Sequence, residues 1–108
     1  MQIKFKRPIT LLLSNGKRIN ACLTDISMEK IGIIYKLPIK HDAVLIANFS
    51  LPIADHIYKI KMEVKAMNNH LQTDQYHTLL HITKIPEENK KTLLLFLQTR
   101  PGGINHAA

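Results

Sequence analysis

Asp25 and Ser27 are the residues whose types and spacing best suit chemistry. They stand two apart in the stretch Thr24-Asp25-Ile26-Ser27-Met28-Glu29-Lys30-Ile31-Gly32-Ile33-Ile34. On an extended backbone, residues two apart project from the same face. A carboxylate and a hydroxyl side by side can accept from the donor edge of a polar ligand. The same two residue types also cap the backbone amides of a turn, and the pair alone leaves both roles open.

Other candidate groups do not assemble into a catalytic set. His77 and His81 lie four apart, which on a strand puts them on one face about 13 Å from each other. That is too far for one metal ion, and no cysteine or acid nearby completes a site. Ser27 has no histidine partner in its motif, and no glycine-rich phosphate loop occurs. Cys22 is the sole cysteine and falls in an apolar strand pattern, where a small buried thiol is the expected role. The residues therefore point to a non-enzymatic protein with no catalytic residue, metal or bound cofactor.

The 108 residues suffice for one domain that buries roughly two-thirds of its unfolded surface. The expected core runs from about Lys4 to Arg100, with a loose tail over residues 101–108. One unpaired cysteine, no signal peptide and no apolar run of about 20 residues suggest a cytoplasmic protein without a membrane span. Lys and Arg number 15 against 8 Asp and Glu, a formal net charge of +7. This excess favours anionic partners without naming one. The cations cluster at Lys4-Phe5-Lys6-Arg7 and Lys17-Arg18 and are otherwise spread along the chain.

The elements that must position the pair follow from periodicity. After the basic segment, Pro8 begins a strand with Ile9, Leu11 and Leu13 on one face. Asn15-Gly16 between apolar runs is a strong hairpin signal, and the return strand directs Ile19, Ala21 and Leu23 inward. Ile31 to Tyr35 reads as a third strand, Lys36 to Asp42 as a loop around Pro38, and Ala43 to Ser50 as a fourth strand ended by Pro52. From Ile57 to Met67, Tyr58, Ile60, Met62, Val64 and Ala66 alternate with Lys59, Lys61, Glu63 and Lys65. A polar turn from Asn68 to Gln75 leads to a sixth strand, Tyr76 to Thr83.

Pro86-Glu87-Glu88 then marks a helix N-terminus, with Lys90, Lys91 and Arg100 towards the other end. Leu93, Phe96 and Leu97 form a stripe fit to cover one end of a barrel, and Pro101-Gly102-Gly103 stops the helix. The pattern implies an all-β fold: a six-stranded antiparallel β-barrel with a C-terminal helix, because closure removes strand edges.

A barrel with this charge raises the alternative of single-stranded nucleic-acid binding. Such proteins stack bases on exposed aromatics. Phe5, Tyr35, Phe49, Tyr58, Tyr76 and Phe96 fall mostly on faces assigned to the core, so nucleic acid is disfavoured.

The order of parts resembles a PilZ domain, the bacterial module known as a receptor for cyclic di-GMP. The likeness covers about Lys4 to Arg100. Its most specific portion is Asp25-Ile26-Ser27 followed by Ile31-Gly32-Ile33, similar to the family's D-L-S-x-x-G-L-x-L stretch. In members that bind the nucleotide, an R-x-x-x-R motif before the first strand grips phosphates and guanine faces, while Asp/Asn-x-Ser bonds the guanine edge. Guanidinium forks and a carboxylate suit those roles.

By position, Arg7 matches the second arginine, and Asp25 and Ser27 match the second motif. Ile3 stands where the first arginine belongs; Lys4 and Lys6 supply charge but no bidentate plane. Lys30 occupies the usual glycine position, and Gly32 follows two residues late. One lost charge-assisted contact costs about 1.5–3 kcal/mol, roughly ten- to a hundredfold in affinity.

The resemblance implies two expectations. One is an adaptor working through a protein partner, such as a pilus, flagellar or other signalling component, with weak or absent cyclic di-GMP binding. The other is a cyclic di-GMP receptor using Arg7, Asp25 and Ser27, helped by Lys4, Lys6, Lys30 and Gly32.

Overall fold

A computed structural model describes residues 2–99 of the protein. Six strands, β1 (Gln2–Leu13), β2 (Arg18–Ser27), β3 (Lys30–Tyr35), β4 (Val44–Ile53), β5 (His56–Gln72) and β6 (Gln75–Lys84), precede one helix, α1 (Glu87–Thr99). All pairings are antiparallel, and the strands close a barrel in the order β1-β2-β3-β6-β5-β4, with β4 returning to β1. Among the described residues no helix is long and apolar enough to cross a membrane. Arg100, the stop at Pro101-Gly102-Gly103 and the tail from Ile104 lie outside the described residues.

Strand alternation fills the barrel. Ile9 and Leu11 of β1, Leu45, Ala47, Phe49, Leu51 and Ile53 of β4, and Ile60, Met62, Val64 and Ala66 of β5 are all buried. Each fully buried Leu or Ile contributes about 1.5–3 kcal/mol over its exposed state. Tyr58, placed on the same face by spacing, lies near the barrel end and is 37% exposed. Helix α1 lays Leu93, Phe96 and Leu97 against the barrel beside β4 and β5. Phe96 meets the ring of Phe5 at 5.0 Å between centroids, so β1 and α1 share one end of the core.

The ladder register shifts at four points, between Lys4 and Arg7, Leu23 and Asp25, Glu63 and Val64, and Ala66 and Asn69. Between the inward pairs, β1 takes four steps from Ile3 to Arg7, β2 takes three from Ile26 to Leu23, and β3 takes two from Ile31 to Ile33. The extra residue on β2 is Thr24, which bends the strand just ahead of Asp25. On β5 the shift between Ala66 and Asn69 matters most for the neighbouring loop. Beyond it, the Asn69 amide clamps the 36–43 loop, accepting from the Ile39 N–H at 3.0 Å and donating to its carbonyl at 2.9 Å. The loop's Ile39 is thereby held in the core, 5% exposed.

Several expected boundaries are corrected. The basic segment Lys4 to Arg7 lies within β1, not before the first strand. Pro52 does not end β4 but pairs with Ile57 next to a tight turn at Ala54-Asp55. The β5–β6 connection is likewise only Thr73-Asp74, not the long turn expected from Asn68. Both turns begin with a non-glycine residue at positive φ, Ala54 at 53° and Thr73 at 52°, so neither carries the usual glycine signal. Lys90 and Lys91 sit in the first half of α1, and its last described turn holds no basic residue.

Candidate functional site

The elbow between β2 and β3 is closed by Ser27. Its hydroxyl accepts the N–H groups of Glu29 at 3.3 Å and Lys30 at 3.2 Å and donates to the Lys30 carbonyl at 3.1 Å. Ser27 is 8% exposed, so its side chain acts as the turn cap that one reading of the sequence allows.

Asp25 takes no part in that cap. It is 7% exposed and faces out of the barrel wall, across from Lys4 on β1 and Gly32 on β3. Its Oδ1 accepts the Thr24 hydroxyl at 2.7 Å and lies 3.4 Å from Nε2 of His77. That imidazole is itself 3.3 Å from the Thr24 oxygen. The carboxylate rests directly on Gly32: a Cβ there would overlap Asp25 Oδ1 and come within 2.9 Å of His77 Nε2. Glycine at this position thus makes room for the protein's own aspartate.

The expected site residues divide into two groups. Lys4, Asp25 and Gly32 form one cross-strand row on the outer wall, and Ser27 and Lys30 belong to the elbow beside it. Lys4, Lys6 and Lys30 are exposed. Arg7 is the exception, alternating with Ile3, Phe5 and Ile9 and reaching away from the row to β4. There its Nη2 donates to Ser50 Oγ at 2.8 Å and its Nε to the Ser50 carbonyl at 3.3 Å. Its guanidinium carbon also stands 5.9 Å from the Phe5 ring centroid. Ile3, at the first arginine position, is 7% exposed and pairs with Ile26 in the core.

His77 joins the corner without having been singled out with Asp25. The only clue in the sequence is the outward set His77, Leu79 and His81, legible once the sixth strand is placed beside the third. His81 pairs with Lys30 and stays exposed, and no cluster of three metal-ligating side chains occurs among the described residues.

Solved structures are similar to this fold. The inhibitor of motility MotI/DgrA of Bacillus subtilis superposes with a TM-score of 0.77 at 15% identity, covering 86% of this chain and 46% of its own. The PilZ domain of CeSA from a cellulose-synthesizing bacterium gives 0.59 at 9% identity, over 87% of this chain and 91% of its own. The fold is that of a PilZ domain.

Borreliella burgdorferi PlzA, solved in complex with c-di-GMP, matches this PilZ-like barrel with a TM-score of 0.51 at 13% identity, over 85% of this chain and 48% of its own. The chain spans about half the length of MotI/DgrA and PlzA. No protein-family model matches the sequence, and no curated protein matches it.

Proposed function

We propose that the chain is a non-enzymatic PilZ-like regulatory module that acts through a protein partner and binds cyclic di-GMP weakly or not at all. The observation that carries this reading is the employment of the motif side chains within the fold. Arg7 is turned to Ser50, Ser27 is engaged by the elbow amides, and Ile3 replaces the other arginine with a core residue. A nucleotide at the corner would have to draw Arg7 off β4 and then bind with one guanidinium where two are expected. Each displaced or missing charge-assisted bond costs about 1.5–3 kcal/mol.

The receptor reading draws its own support from the exposed Lys4, Lys6 and Lys30, which would attract phosphates to the Asp25 row. Isothermal titration with cyclic di-GMP separates the two. The adaptor reading expects no saturable heat at millimolar nucleotide. Heat that saturates in the low micromolar range and vanishes in Asp25→Ala and Arg7→Ala would establish the receptor instead. A partner of the kind implied by the resemblance, a pilus, flagellar or other signalling component, is then to be sought by its fit to an exposed surface.

A further inference from the structure

We infer that β2 carries an open edge that accepts an acidic, extended segment of a partner protein as an added strand. The inference rests on the adaptor reading and names where and how such a partner docks. β2 pairs with β3 only from Cys22 onward, where Cys22 meets Ile34, whereas its first residues pair with β1 alone. The Leu13 N–H donates to the Lys17 carbonyl at 2.8 Å, marking the hydrogen-bonded end of the β1–β2 hairpin. In an antiparallel ladder, bonded and non-bonded pairs alternate. Arg18 and Asn20, opposite Leu12 and Thr10, are therefore non-bonded with respect to β1. Their N–H and C=O groups aim at the side that β3 has left.

That side is a cleft of about 540 Å³, bounded by Arg18, Asn20 and Cys22 on one flank and Ile34, Tyr35 and Lys36 on the other. Its size falls within the range of about 300–1,000 Å³ typical of ligand pockets. Arg18 and Lys36 are exposed, and among the described residues no acidic side chain lines the cleft. Unpaired strand groups select a peptide backbone, as in β-strand addition. The two cations on the outer face select acidic side chains at alternate positions of the incoming strand, next to Arg18 and Asn20. The intervening side chains would point towards half-buried Ala21 and Tyr35, which suits apolar residues. A nucleic acid would use the cations but not the strand edge, and among the described residues Tyr35 is the only aromatic lining the cleft.

The test titrates the full chain into a fluorescein-labelled octapeptide of alternating Glu and Val, read by anisotropy. Saturable binding is expected. It should weaken by about tenfold or more in the Arg18→Glu/Lys36→Glu variant, and similarly when alternate peptide amides are N-methylated. Because N-methylation alters only the probe, it tests the backbone pairing even if a protein variant misfolds.

Absence of binding at millimolar protein overturns the proposal, as does equal binding of a Lys/Val octapeptide or indifference to N-methylation. Tighter capture of a single-stranded oligonucleotide by the same two cations also overturns it. Titrating cyclic di-GMP into the same samples keeps the two ideas apart. A silent nucleotide with no peptide binding removes the open edge and leaves the adaptor, whereas micromolar nucleotide binding removes the adaptor itself.

Discussion

The barrel ladder runs out early at more than one seam, and the protein treats two of them differently. Between β1 and β4 it ends at Thr10 opposite Asn48, and between β2 and β3 it ends at Cys22 opposite Ile34. At the first seam the chain supplies its own filling. Pro8 lies at a non-bonded position opposite Cys22, and Pro52 lies beside the Ile53–His56 pair that closes its hairpin. Both prolines therefore turn their missing donors towards the seam. Arg7 bridges it to Ser50, and Phe5 closes on Phe96 of α1. At the second opening, backbone groups of Arg18 and Asn20 remain between two exposed cations. At the half-buried seam side chains stand in for the missing ladder bonds, since buried backbone groups need partners. A surface gap can stay open, its cations holding like edges apart while admitting an acidic strand.

The filled seam should be the sensitive one. Phe96→Ala removes a ring with no solvent exposure and should cost about 3–5 kcal/mol in urea unfolding. Leu94→Ala on the same helix, at 44% exposure, should stay within about 1 kcal/mol. Equal losses would mean that α1 contributes by covering surface in general and not by plugging this seam.

Arg7→Ala should cost less, about 1–3 kcal/mol, since it deletes two half-buried hydrogen bonds and the guanidinium over Phe5. A double-mutant cycle with Ser50→Ala should return a coupling of about 0.5–1.5 kcal/mol. A coupling of zero would release Arg7 from the seam and return it to the candidate nucleotide residues.

The difference between the two openings could not be read from the sequence, although the fold class could. Alternating apolar residues and the Asn15-Gly16 turn, with Gly16 at a φ of 89°, mark strands and a hairpin through local preferences. A bulge such as that at Thr24 changes which neighbour a residue faces while using ordinary residue types. Asp25 and Ser27 were legible as a pair on one face, but Asp25 turned to Thr24 and His77 and Ser27 to the elbow amides. That division depends on Gly32 and His77 arriving from two other strands. Arg7 was legible as a cation but not as a bridge, since Ser50 lies 43 residues away and becomes its neighbour only on barrel closure.

The smallest expected effect bears most directly on the open edge. Asn20 and Cys22 are two residues apart on β2, and both direct their N–H away from β1; Cys22 faces β3, and Asn20 faces the cleft. Proline removes that donor at either position. Asn20→Pro deletes a group with no ladder partner and should change stability by about 1 kcal/mol or less. Cys22→Pro strips β3 of a bond at Ile34 and should cost at least about 2 kcal/mol. The same Asn20→Pro protein should lose affinity for the Glu/Val octapeptide while remaining folded, because the donor it lacks is one the incoming strand would use. If the two prolines are equally damaging, Asn20 is already paired in solution and β2 has no free edge to offer.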